Sequence, residues 1–209
     1  ESASNGGDTM NGGAGTDIAS YASRTVAVVI AIDGIATDGE ALELDNVKND
    51  VENLVGGSGA DTLTGSSSNN VLTGGLGADV LSGGAGDDTF AEGAVTSGGD
   101  TFNGGTGTDR VDYSLRVAAL TVTMDGVAAN DGLASEGDNV KSDVENLDMG
   151  TAGGTVTGGQ FTLSLEGRTT LPIDATGGNV RQNIEDGLNA LRITQPGDIV
   201  VTGPASGGP

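Results

Sequence analysis

The chain has 209 residues, of which 39 are Gly, and carries 30 Asp plus Glu against 8 Lys plus Arg, a net charge of -22. With no His and no Cys it has neither an imidazole base for a catalytic triad nor the nitrogen and sulfur ligands of structural zinc, so any bound metal is held by oxygen. Such acidity repels phosphate backbones and anionic headgroups and excludes nucleic acid and membrane surfaces as partners. The longest apolar run, 26–32, is far shorter than the roughly 20 residues of a membrane helix.

The opening residues, 1–5, have neither a basic start nor an apolar stretch, so no signal peptide is read there. Nine-residue units follow. ASNGGDTMN starts at Ala3 and GGAGTDIAS at Gly12. Residues 56–91 then divide without remainder into GGSGADTLT, GSSSNNVLT, GGLGADVLS and GGAGDDTFA. After three inserted residues, Glu92 to Ala94, come VTSGGDTFN from Val95 and GGTGTDRVD from Gly104, and a decayed unit, MGTAGGTVT, starts at Met149. The sixth position of these units is Asp8, Asp17, Asp61, Asn70, Asp79, Asp88, Asp100, Asp109 and Gly154, and the eighth is apolar every time. A larger duplication overlies the small one: DNVKNDVENL at 45–54 returns as DNVKSDVENL at 138–147, and Tyr21 and Arg24 return as Tyr113 and Arg116.

A strand of two or three residues buries too little by itself, but a stack of them shares one interior lined by the eighth side chains. Gly supplies the turns between strands and lets carbonyls crowd together. Asp at position six adds a carboxylate beside them, and such a set of oxygens suits calcium.

The frame resembles the RTX, or hemolysin-type, calcium-binding repeat GGxGxDxUx. The resemblance implies an all-β fold, a right-handed parallel β-roll (β-solenoid) in which two nonapeptides make one coil and several calcium ions lie between turns 18 residues apart. It pairs Asp61 with Asp79 and Asn70 with Asp88, continues to Asp100 and Asp109 across the insertion, and starts the same arrangement at Asp8 and Asp17. Asn70 lacks a charge and predicts a weaker site. Gly154 ends the ladder while Val156 still fills the core.

The spacers, about 35 residues each, contain strand-like runs at 25–32 and 119–124 closed by Asp33-Gly34 and Asp125-Gly126. They read as enlarged coils in which Val51, Leu54, Val144 and Leu147 join the stack. Their acids, including Asp38, Glu40, Asp45 and Asp50, read as solvated loop carboxylates, with further calcium sites as the alternative. From Gly158 the composition changes. Phe161, Leu163 and Leu165 alternate before a turn at Glu166-Gly167, Leu171 and Ile173 follow, Val180 to Leu191 has helical spacing, and 199–202 is strand-like. This ββαβ pattern, a small β-rich module with one short helix, resembles a repeat module of large bacterial surface proteins and reads as incomplete. Two domains are expected, 1–157 and 158–209.

The leading functional reading is a secreted, extracellular structural module of a bacterial adhesin, surface or filament-forming protein. It folds on calcium binding, with copies of itself as partners in head-to-tail assembly. The alternative is a carbohydrate-binding accessory module of a secreted polysaccharide-modifying enzyme, although two Tyr and three Phe provide little stacking surface for glycan. Catalysis is not expected, because the carboxylates are spaced as a ladder and not gathered in one cleft.

Overall fold

The structure, a computed structural model, describes residues 6–127 and 130–149, together with the backbone of five short strands beyond them. Every strand is short because every nonapeptide spends most of its length turning. In chain order β1 (Thr9–Met10), β2 (Ile18–Ser20) and β3 (Val29–Ala31) are followed by β4 (Asn46–Val47), β5 (Asn53–Val55) and β6 (Thr62–Thr64). The nonapeptide coils add β7 (Val71–Thr73), β8 (Val80–Ala85) and β9 (Thr89–Ala91). The second cassette contributes β10 (Thr101–Thr106), β11 (Arg110–Asp112), β12 (Leu120–Val122), β13 (Asn139–Val140), β14 (Asn146–Asp148) and β15 (Gly154–Val156). Last come β16 (Gln160–Phe161), β17 (Ser164–Leu165), β18 (Arg168–Thr169) and β19 (Ile173–Asp174).

Strands one coil apart pair in parallel. A six-stranded sheet runs β14-β11-β9-β7-β5-β2, and a five-stranded sheet runs β13-β10-β8-β6-β3. Register follows the repeat: Leu63 lies beside Leu81 and Leu81 beside Phe102, while Leu54, Leu72, Phe90 and Val111 align in the other sheet. The fold is therefore all-β with parallel sheets in the manner of a β-roll.

Between the sheets the eighth-position side chains form a column. Leu63, Leu72, Leu81, Phe90, Phe102 and Val111 are fully buried, and Met10 at one end packs partly buried against the core. Each is worth roughly 1.5–3 kcal/mol by apolar burial. The Phe90 and Phe102 rings meet at a tilt of 48° with centroids 5.6 Å apart, and Phe102 meets Tyr113 edge-on at 6.3 Å. Val51, Leu54, Val144 and Leu147 from the spacers join this core as expected.

The spacers do more than enlarge a coil. Strand pairs β1-β4 and β12-β15 belong to neither large sheet. By the internal duplication β1-β4 corresponds to β10-β13, and β3-β6 to β12-β15. The six-stranded sheet thus runs through both cassettes, while on the opposite side each spacer ends one line of strands and starts another. Asp38 makes that change possible. Its carboxylate accepts the edge amide of Ala31 in β3 and that of Val47 in β4, both at 2.7 Å, so neither line is left with an unpaired donor there. Asp131 repeats the device on Thr123 and on Val140, the latter at 2.7 Å.

The reading of the spacer acids as solvated is corrected in part. Asp38 and Asp45 are 1 % and 0 % exposed, because they supply acceptors to backbone amides that the change of line strips of strand partners. Asp50 and Glu40 remain partly exposed. Beyond the roll β17 pairs antiparallel with β18 and β16 with β19. The helical segment 180–191 and the strand at 199–202 lie outside the described residues. Among the described residues no helix is long and apolar enough to cross a membrane.

Candidate metal centre

The turns on the two sides of the roll stack as closely as the strands. Gly84 shows why the frame demands Gly: its φ is +108°, and a Cβ there would collide with the Ser66 carbonyl oxygen one coil away. Carbonyl oxygens and position-six carboxylates consequently crowd the same narrow space.

Position six forms two ladders. On one side the Asp61 amide donates to Asp79 Oδ1 at 2.7 Å, the Asp79 amide to Asp100 Oδ1 at 2.8 Å, and the Asp100 amide to Asp138 Oδ1 at 3.0 Å. On the other the Asn70 amide donates to Asp88 Oδ1 at 2.7 Å, the Asp88 amide to Asp109 Oδ1 at 2.9 Å, and the Asp109 amide to Glu145 Oε2 at 2.8 Å. In the first cassette the Asp8 amide donates to Asp45 Oδ1, and the Asp17 amide to Glu52 Oε2, both at 2.8 Å. Sequence reasoning therefore names the nonapeptide rungs, offers Asp45 only as an alternative calcium-site acid, and misses the spacer rungs Glu52, Asp138 and Glu145. The duplicated DNVK and DVENL segments were the available signal.

From Asp61 to Asp109 each rung carboxylate thus spends one oxygen on a backbone amide, and the second oxygen decides what the turn can hold. Asp79, Asp88 and Asp109 are buried, and the Oδ2 of each has no hydrogen-bond partner. Asp61 differs, since its Oδ2 accepts the Gly57 amide at 2.6 Å. Asn70 differs further: its Nδ2 donates to the Glu52 carbonyl at 2.6 Å and its Oδ1 accepts from Ser66 at 2.7 Å. An uncharged side chain with both ends engaged fits the weaker site expected there.

Burial without a counter-charge raises the proton affinity of these carboxyls. Asp79 is pushed up to about 7 by burial, with Asp100 and Asp61 adding repulsion against the relief provided by the Asp61 amide. Asp88 rises to about 6, again by burial first and with Asp109 and Asp87 opposing ionisation. Burial also raises Asp61, Asp100 and Asp109, and lifts Asp138 to about 7. Such orphaned oxygens, on Asp79 in the first ladder and on Asp88 and Asp109 in the second, lie beside backbone carbonyls and are chemically suited to a hard divalent cation that takes oxygen donors in flexible number. Among the described residues no three acidic side chains are arranged to hold a metal ion by themselves.

The spacer end of the first ladder is closed differently. Asp138 Oδ2 accepts the Tyr113 hydroxyl at 2.7 Å, and Asp45 Oδ2 accepts that of Tyr21 at 2.9 Å. Beside Tyr113 the fully buried Arg116 guanidinium pairs with Glu92 at 2.7 Å and Glu136 at 2.5 Å. Arg24, its copy, pairs with Glu43 at 2.5 Å and Glu40 at 3.1 Å. These arginines supply the positive charge that lets a cluster of acids stay buried.

Comparison with curated proteins finds no match. The family model of the RTX calcium-binding nonapeptide repeat matches in four copies, over residues 2–19, 55–90 and 95–114. Those stretches hold every position-six residue from Asp8 to Asp109, and their repeats are calcium-binding structural motifs and not catalytic ones. By their ladders of in-register turns and by this match, residues 2–19, 55–90 and 95–114 are RTX calcium-binding nonapeptide repeats.

Proposed function

We propose that the chain is a calcium-folded structural module of an extracellular bacterial protein that serves as an adhesin, surface-layer or filament component. The observation that carries this reading is the pair of ladders in which the second oxygens of Asp79, Asp88 and Asp109 are buried without a partner. In this reading Asp8, Asp17, Asp61, Asn70, Asp79, Asp88, Asp100 and Asp109 face the cations, and residues 1–157 form the roll while 158–209 form a second, smaller unit. With a net charge of -22, the metal-free chain is under strong self-repulsion. Calcium both neutralises the ladders and ties successive coils together, so binding and folding are one event. The weak affinity range of extracellular modules keeps such a chain unfolded at low cytosolic calcium and folds it outside.

Head-to-tail assembly is part of the proposal, because β1 and β2 at one end and β14 and β15 at the other are edge strands among the described residues. Glycan binding has less support: Tyr21, Tyr113, Phe90 and Phe102 are all buried in the roll. The test is circular dichroism during a calcium titration with magnesium as control, followed by sedimentation velocity. A cooperative gain of β signal selective for calcium is expected. Identical spectra with calcium and with chelator overturn the folding claim, and a monomer at all calcium concentrations overturns the assembly claim.

A further inference from the structure

The second ladder ends against a turn that is not a nonapeptide. Beyond Asp109 the facing segment is Ser142-Asp143-Val144-Glu145, which lies outside the matched repeats. Glu145 takes the Asp109 amide, and Asp143 Oδ2 accepts the Gly105 amide at 3.2 Å. Two oxygens are then left over. Asp109 Oδ2 and Asp143 Oδ1 are both buried with no hydrogen-bond partner, and Asp109 as a whole is 0 % exposed. The point where a Gly104 Cβ would stand is 2.5 Å from Asp109 Oδ2 and also in contact with the Asp143 carbonyl oxygen. Carboxylate and carbonyl oxygens of two different turns therefore meet at one small residue.

We propose that this junction is a further calcium site, built half from a nonapeptide and half from the spacer, with Asp109 Oδ2, Asp143 Oδ1 and the Asp143 carbonyl as its protein ligands. The opposite ladder provides the contrast. There the second oxygens already accept hydroxyls, Asp100 Oδ2 from Ser97 at 2.8 Å and Asp138 Oδ2 from Tyr113, so neither carboxylate has an unpartnered oxygen at that junction. The first cassette repeats the arrangement in part. Asp17 Oδ2 is buried without a partner, while Asp50 accepts the Gly12 and Gly13 amides at 3.2 and 3.0 Å. Both Asp50 oxygens are engaged, which makes that copy the weaker of the two. The burial of Asp109, reinforced by its neighbours Glu145 and Asp143, also raises its proton affinity, as expected of a charge that lacks a counter-ion.

The inference rests on the calcium reading above, and its test separates the two. Bound calcium per full-length chain is measured by equilibrium dialysis for the wild type, Asp143→Asn, Asp143→Ser and, as a charge control, the exposed Asp125→Asn. Asparagine keeps an acceptor for Gly105, and circular dichroism in calcium checks that each variant is folded. One fewer calcium per chain in both Asp143 variants, with Asp125→Asn unchanged, is the expected result. Folded Asp143 variants that bind as many ions with the same affinity as the wild type overturn the site. A wild type that binds no calcium overturns the family reading itself.

Discussion

Replacing Asp79 by Asn isolates the electrostatic cost of the ladder. The Asp79 carboxylate is 1 % exposed, its Oδ1 accepts the Asp61 amide, and its Oδ2 has no partner. A carboxyl held at about 7 in the folded chain instead of the usual 3.8 opposes folding by of order 4 kcal/mol when ionised, at about 1.4 kcal/mol per tenfold. The folded state binds the proton more tightly than the unfolded chain, so without metal stability is highest below about pH 4. It falls as pH rises and is fully reduced above about 7. Asn keeps the acceptor for the Asp61 amide and removes the charge. In chelator, therefore, Asp79→Asn is expected to be the more stable protein at pH 8, by up to about 4 kcal/mol, and the two converge toward pH 4. In millimolar calcium the order reverses, because the variant has lost a ligand. Circular dichroism on acidification from pH 8 to 4 in chelator, where Asp79→Asn should gain β signal at a higher pH than the wild type, and urea unfolding in calcium read the two signs. A metal-free wild type whose stability climbs with pH would refute the reasoning.

Three further outcomes follow from the packing. Phe90→Ala opens a cavity between Phe102 and Leu72 in the fully buried column and should cost about 3–5 kcal/mol in calcium-loaded urea unfolding. Gly84→Ala forces a Cβ into the Ser66 carbonyl at a φ of +108°. A loss of at least about 1–3 kcal/mol and a lowered Tm are expected, whereas Ala14→Gly on the exposed first turn should change Tm little. Asp38→Ala removes the acceptor for two edge amides, Ala31 and Val47, at about 1–3 kcal/mol for each donor left unsatisfied. Hydrogen exchange should show both amides losing protection, and unchanged protection would mean that Asp38 does not hold the junction.

Much of the roll is legible from spacing. Because the apolar eighth residue and the acidic sixth recur in frame, an 18-residue offset places Leu63 beside Leu81 and Asp61 beside Asp79, and the structure shows those neighbours. The three-residue insertion at Glu92 shifts the offset to 21 without breaking either ladder, since added length is absorbed in a turn and not in the paired strands. What periodicity cannot express is contact between segments of different kinds. Asp38 and Asp45 look like loop acids by composition, yet the change of strand line buries them as acceptors for amides up to 37 residues away. The near-identical cassettes also diverge in a way no alignment of the two copies shows. Arg24 finds Glu40 within its own spacer, whereas its counterpart Arg116, with Leu133 at the matching position, reaches back to Glu92 in the preceding coil. A regular repeat determines its own register because each unit meets a copy of itself. The spacers meet something else, and only the three-dimensional stack decides which backbone donors and which charges they must satisfy.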